Sequence, residues 1–265
     1  MKRRFPTEFV FQLFALVVAI IVVHAVYVTV VRPNAADDLR EQQILLAENP
    51  NQEVERSAWV ILKDFEQEAC FILMLWAMAI MGYKAWRLSR ERALLEMELI
   101  PVAEGLRILP EDTREYARQV QALPADVREF LLPRALLTAL HRFEATRSIQ
   151  DVAAAADLVF DEESERLDSE LSMIRYIAWA IPSIGFIGTV RGIGNALGQA
   201  HQAVEGNIMG VTQSLGVAFN STFVALLISI VIMFLIHQIQ LFQERLVLES
   251  KEYADRHLVR QLQVR

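Results

Sequence analysis

Two threonines, Thr189 and Thr222, stand in apolar segments that otherwise carry little chemistry. A hydroxyl in such a place can hydrogen-bond a carboxyl group or help coordinate a dehydrated cation, but at neutral pH it does not itself take up the proton. The first threonine sits in Ile181-Pro182-Ser183-Ile184-Gly185-Phe186-Ile187-Gly188-Thr189-Val190-Arg191-Gly192. At ~100° per residue, Pro182, Gly185, Gly188, Thr189, Gly192 and Ala196 share one face, with Phe186, Ile187, Val190 and Leu197 opposite. The second segment repeats the pattern, with Ser214, Ala218, Ser221, Thr222, Ala225 and Ser229 in one stripe. Two readings are open. Small faces let helix backbones approach closely, and Ser or Thr hydroxyls can bond to the preceding turn. Alternatively the faces line a central space, partly wet or filled by a partner helix, with Thr189 and Thr222 as its polar points. Neither segment contains Asp or Glu. An ion crossing hydrocarbon needs a titratable or strongly coordinating group, because an isolated charge there is costly. A pathway along these faces therefore requires a carboxylate from another chain.

The elements that must position the hydroxyls are long helices. The chain has 265 residues and a formal charge of −7, with positive mean hydropathy. Its apolar residues gather into four runs, Phe9 to Val31, Ala69 to Trp86, about Ile174 to Leu197 and about Val211 to His237. Blocks of this length point to a bilayer. The expected fold is an all-α integral membrane protein with four transmembrane helices, the third and fourth extending into a cytoplasmic helical region. Lys2, Arg3 and Arg4 precede the first run, which is too long for a signal h-region and reads as an uncleaved anchor. His24 lies within it with no acidic neighbour in sequence, so hydrogen-bonded packing is expected over a proton relay.

Charge sets the orientation. Lys84, Arg87, Arg90 and Arg92 crowd the exit of span two. The segment between spans one and two instead carries Asp37, Asp38, Glu41, Glu48, Glu53, Glu55, Asp64, Glu66 and Glu68 against Arg40, Arg56 and Lys63, and the link between spans three and four has no Lys or Arg. Because cytoplasmic loops are enriched in Lys and Arg, both chain ends are expected inside and both short loops outside.

The chain then divides into a cytoplasmic amino end and first span (1–32), a periplasmic segment (33–68), span two (69–86), a cytoplasmic helical region (87–171), spans three and four (172–237) and a cytoplasmic carboxy-terminal helix (238–265). Pro33 is expected to open the periplasmic segment and Asn49-Pro50-Asn51 to break it; Val54, Ala58, Ile61, Leu62 and Phe65 then suggest a short amphipathic helix leading into span two. Pro101, Pro110, Pro124 and Pro133 cut the cytoplasmic region into short helices. Beyond them Leu136, Leu137, Leu140, Phe143, Val152, Leu158, Val159 and Leu167 predict one or two longer helices, the last running without interruption into span three. Ile239, Phe242, Leu246, Val247 and Tyr253 predict an amphipathic continuation of span four.

The run Ile181 to Gly198, with its Pro-x-x-Gly-x-x-Gly-Thr-Val-x-Gly core, resembles the first signature helix of the MotA/TolQ/ExbB proton-channel family. Thr212 to Ile230, with Ser-Leu-Gly-Val-Ala-Phe-Asn-Ser-Thr, is similar to the second. The resemblance covers roughly residues 157–245, and four spans with both ends inside is the MotA-type layout. It implies a homo-pentamer around a dimer of a single-span MotB/ExbD/TolR-like protein that carries the ion-binding aspartate. Ion flow then turns one ring against the other. Carried over, Thr189 and Thr222 match the threonines of the two signature helices, and Pro182 matches the proline near the cytoplasmic side of the first. Three positions depart from the pattern. Val217 stands where the ExbB branch has an acid, no proline occurs around Phe234 to His237, and Arg191 replaces an apolar or aromatic residue. Arg191 is expected to snorkel to the interface or pair with Glu205.

The expected function is an ion-channel or motor subunit of the bacterial inner membrane, no enzyme, using the proton (or sodium) motive force with no cofactor beyond the transported ion. The ion pathway or partner-facing set is Thr189, Thr222, Ser221, Pro182, Gly185, Gly188, Gly192, Ala218, Ala225 and Ser229. A passive helix-packing scaffold is the alternative. A small-molecule transporter is disfavoured by the lack of an inverted repeat. A single cysteine, Cys70, excludes a disulfide within the chain and reads as a small packing residue. No basic tract or zinc-ligand spacing points to nucleic acid or a metal. Flagellar rotation, an energised outer-membrane process and ZorA-type defence all remain open as the driven process.

Overall fold

The computed structural model describes residues 7–48, 57–101, 107–204, 206 and 208–264. Lys2, Arg3 and Arg4, the Asn49-Pro50-Asn51 break with Glu53, Val54, Glu55 and Arg56, and Glu205 lie outside the described residues. In chain order the helices are α1 (Thr7–Val26), a π turn (Tyr27–Val31), α2 (Arg32–Glu48), α3 (Ala58–Leu62), α4 (Phe65–Arg92), a 3-10 turn (Ala93–Glu96), α5 (Thr113–Gln121), α6 (Ala125–Arg128), α7 (Leu131–Thr146), α8 (Ile149–Glu170), α9 (Ser172–Gly198), α10 (Ala200–Val204), α11 (Met209–His257) and a final 3-10 turn (Val259–Gln261). No strand occurs among the described residues. Four helical stretches are long and apolar enough to cross a membrane: Glu8–Leu45, Phe65–Glu96, Ile149–Gly198 and Met209–Gln261. The protein is an all-α, multi-pass membrane protein.

The chain forms two compact units. One comprises Met1–Met81 and Met173–Ile236 and contains the apolar spans. Helix α1 is apolar around its whole circumference, with Phe14, Ile21 and Val22 exposed, as expected of a helix that meets lipid. Its inward stripe is narrow and small, Ala15 and Ala19, followed by Tyr27, Val31 and Ala35. Trp76 Nε1 donates to the Gln12 carbonyl at 2.9 Å, tying α4 to α1. Cys70 is fully buried, with Sγ 3.7 Å from the Ile181 carbonyl of α9.

Pro33 does not interrupt the helix, which continues to Glu48. The proline follows directly on the π turn, where the ladder already changes from i→i−5 to i→i−4 bonding, so its missing N–H falls at a disrupted point. Asn34 Nδ2 supplies a donor to the Val30 carbonyl at 2.8 Å. Among the described residues, the short helix expected before span two is the five-residue α3, capped by Ser57, which accepts from Trp59 N at 3.1 Å and donates to the Asp38 carboxylate.

The other unit comprises Gly82–Ser172 and His237–Arg265. Helices α7 and α8 form a hairpin. Arg147 ends α7 in the left-handed conformation (φ 53°), and Ser148 caps α8 by accepting from Asp151 N at 3.3 Å. Leu136, Leu140, Phe143, Val152 and Phe160 fill the core with Tyr253 and Leu258, whereas Leu158 faces outward. Pro133 lies in the first turn of α7, where a proline costs no ladder bond. Tyr253 Oη donates to the Met97 carbonyl and accepts from Leu99 N, each at 2.9 Å. The cations at the end of α4 all find acids within this unit: Lys84 with Glu170 (2.9 Å), Arg87 with Glu91 (3.5 Å), Arg90 with Asp126 (3.3 Å) and Arg92 with Glu249 (3.0 Å). Helices α8 and α9 are separated only by Leu171, which keeps a right-handed helical conformation, so Ile149–Gly198 runs on as one helical stretch as expected.

Candidate ion-pathway site

Helices α9 and α11 pack with their backbones nearly in contact because α9 presents glycine every third or fourth residue. A methyl added to Gly185 would stand 2.5 Å from Ala225 Cβ, one on Gly188 2.6 Å from Ser221 Cβ, and one on Gly192 2.6 Å from Ala218 Cβ. Ordinary carbon contacts are ~3.5–4.0 Å, so only glycine fits. The structure thus encloses Gly185, Gly188, Gly192, Ala218, Ser221 and Ala225 in a seam within one chain, instead of turning them toward an open space. The physical reason is the one that makes small-xxx-small faces pack in lipid. Opposite the seam, Phe186, Ile187 and Val190 of α9 and Phe219, Phe223 and Leu226 of α11 are exposed.

The polar points lie at the border of this seam, half-buried. Thr189 Oγ1 and Thr222 Oγ1 are hydrogen-bonded to each other across the two helices. Thr189 Oγ1 also lies 3.1 Å from the Ala218 carbonyl, and Thr222 Oγ1 lies 3.1 Å from the Gly185 carbonyl. Ser221 Oγ is 3.0 Å from the Ala218 carbonyl and 3.3 Å from that of Gly185. Each hydroxyl has one proton to give and two lone pairs. The two threonine protons serve these three threonine contacts, and in each arrangement Thr189 keeps at least one lone pair free for an incoming O–H donor. Close glycine packing is what brings the two hydroxyls together.

Pro182 and Ser229 form a second pair. Proline at 182 removes the N–H that would bond to the Ala178 carbonyl, and Ser229 Oγ of α11 supplies a donor to it at 3.5 Å. Both residues border an open cleft with Trp179, Phe186, Ile187 and Met233. Ser214 accepts from Gln199 Nε2 at 3.3 Å, so the sixth member of the α11 stripe serves the end of the bundle that carries α10.

Sequence reasoning missed the charged side chains at that same end. At the start of α4, Glu66, Gln67 and Glu68 are all buried. Arg191 Nη2 of α9 donates to Glu66 Oε2 at 2.7 Å; its other expected partner, Glu205, lies outside the described residues. Glu66 Cγ also lies 3.1 Å from where a methyl on Gly188 would stand. Glu68 turns to α1, where His24 Nδ1 is 2.6 Å from Oε1 and Arg32 pairs with Oε2. His24 therefore has an acidic partner, 44 residues away in sequence. His24 and Arg32 would be ~80° apart on a regular helix; the extra residue of the π turn brings them within ~20°. The available signal was two acids in the first turn of an apolar helix, which read only as a topology marker. Asp64 sits just before α4 with Oδ2 buried and unpartnered, and burial raises its carboxyl above the ordinary 3.8, against the lowering influence of Lys63 and Arg191. It lines a polar cavity of about 250 Å³ with Arg191, Asn195, Gln199, Gln213, Ser214 and Val217.

No curated protein matches the chain. Residues 128–252, from the end of α6 into α11, match the MotA/TolQ/ExbB proton channel family. That stretch contains the whole glycine seam and both threonines. Over residues 128–252 the chain thus carries a region similar to the MotA/TolQ/ExbB proton channel family.

Proposed function

We propose that this proton-channel membrane subunit is the ring-forming part of an ion-driven motor: five copies around two copies of a single-span protein, in the bacterial inner membrane with both termini cytoplasmic. The observation that carries the reading is the Thr189–Thr222 hydroxyl pair, half-buried at the border of the seam, on two spans that contain no carboxylate. Such a pair can orient and hydrogen-bond a carboxyl group but cannot carry the proton, so the pathway acid is supplied from the partner helix. The transported ion in this reading is the proton, with sodium as the variant the hydroxyls equally allow. The paired cations at the end of α4, together with the acid-rich opposite flank, support the assigned orientation.

A passive scaffold is favoured by one specific observation, the closure of the glycine face within a single chain. The two readings part at Thr222. In a motor, Thr222→Val abolishes ion-driven activity while the complex assembles normally. Wild-type activity in that variant would leave packing as the only role of the seam.

A further inference from the structure

The Arg191–Glu66 pair is an unusual thing to build into a membrane bundle, because a buried ion pair gives little net stability over an apolar one. It also stands in a telling place. Glu66 is nearly enclosed, its side chain 10% exposed, while Arg191 is 41% exposed and lines the polar cavity at the α10 end. On its other side, the Glu66 stem and Ser221 converge on Gly188, whose missing side chain leaves room for both. Ser221 in turn bonds to the same two carbonyls as Thr189 and Thr222. The carboxylate thus reaches the polar cavity through Arg191, while its stem packs against the hydroxyl seam.

We propose that Glu66 is a proton-accepting residue of the pathway, with Arg191 as the counter-cation that releases it. The inference rests on the motor reading above and adds to it a carboxylate supplied by this chain. A hydronium ion in the cavity gives its proton to the Glu66 carboxylate, leaving water and a neutral carboxyl. Arg191, still protonated, turns to Asp64, whose Oδ2 has no other partner. The carboxyl O–H bond then breaks, the proton passes to the partner protein's carboxylate, and Arg191 returns to Glu66. The charged groups around this site are Lys63 and Asp64 before α4, Glu68 with Arg32 and His24 toward α1, and Arg191 on α9; α11 contributes only hydroxyl and amide groups.

The test is proton uptake by vesicles containing the wild-type complex with its partner, read with an entrapped pH dye, for Glu66→Gln, Glu66→Asp and the charge swap Glu66→Arg with Arg191→Glu. Flux should fall on the order of a hundredfold or more in Glu66→Gln, as for a positioned proton-transfer group, and return in part in Glu66→Asp, with the swap inactive. Infrared difference spectra of the chain alone in lipid should show a titrating carboxyl band that Glu66→Gln removes. Full flux in Glu66→Gln, or restoration by the swap, would make the pair a structural tie and overturn the proposal. No flux from the wild-type complex, with Thr222→Val unchanged from it, would remove the motor reading and this inference together.

Discussion

Gly192→Ala tests whether the glycine seam sets the geometry of the hydroxyl pair. The added methyl would meet Ala218 Cβ at 2.6 Å, its N at 2.7 Å and its Cα at 2.8 Å. Two of these are backbone atoms, so no rotamer change relieves the contact. Restoring a ~3.6 Å separation requires α9 and α11 to part locally by about 1 Å. The hydroxyl contacts spanning the seam, 3.1 Å from Thr189 to the Ala218 carbonyl and 3.1 Å from Thr222 to that of Gly185, then pass out of hydrogen-bonding range. Overpacking of this kind costs about 1–3 kcal/mol, partly offset by the ~0.5–1 kcal/mol that alanine gains over glycine in a helix. Gly194→Ala and Gly216→Ala are the controls, since nothing lies within 4 Å of a methyl at either site. Stability in detergent or bicelles should fall for Gly192→Ala and be unchanged or raised for both controls, with ion-driven activity lost only in the first. Equal behaviour of all three would refute the claim that α9 and α11 are held at glycine distance.

Other perturbations read separate parts of the structure. Glu68→Ala strips the partner from Arg32 and His24 and should destabilise by on the order of 2 kcal/mol in chemical unfolding, less than the ~3–5 kcal/mol of a fully enclosed pair because both partners are partly solvated; an unaltered midpoint would count against the pairing. Deleting one residue within Tyr27–Val31 should regularise the π turn and mimic Glu68→Ala, whereas a deletion that leaves stability intact would deny the turn its positioning role. For Asp64 the sign follows from burial: its folded carboxyl lies above 3.8, so ionisation weakens the fold as pH rises through the folded value. Asp64→Asn should therefore stabilise at neutral pH, with the gain vanishing as pH falls toward 3.8; a pH-independent difference would contradict this. Glu163→Gln should loosen the α7–α8 hairpin, where Glu163 is bound by Arg134 at 2.7 Å and Arg166 at 3.0 Å, seen as faster hydrogen exchange in α7.

The spans were legible because apolar blocks this long have few alternatives to a bilayer, and the face of α9 followed from helical period alone: Gly185, Gly188, Gly192 and Ala196 are buried, while Phe186, Ile187, Val190 and Leu197 are exposed. Periodicity does not say what a small face meets. The wheel could not choose between a partner and α11, and the structure shows the glycines meeting α11. Long-range polar pairing was equally silent. Arg191 and Glu66 are 125 residues apart, His24 and Glu68 are 44 apart, and Arg32 joins His24 on Glu68 through a π turn, a feature with no sequence period of its own. Proline breaks a regular ladder, but Pro33 follows a turn already out of register and the helix continues past it.

Imaging of the chain purified with its partner measures the central claim most directly. Copies of this chain should stand ringed around at least one foreign helix, with Thr189 and Thr222 facing a carboxylate on that helix. Those hydroxyls turned toward lipid around an empty or closed centre would contradict it.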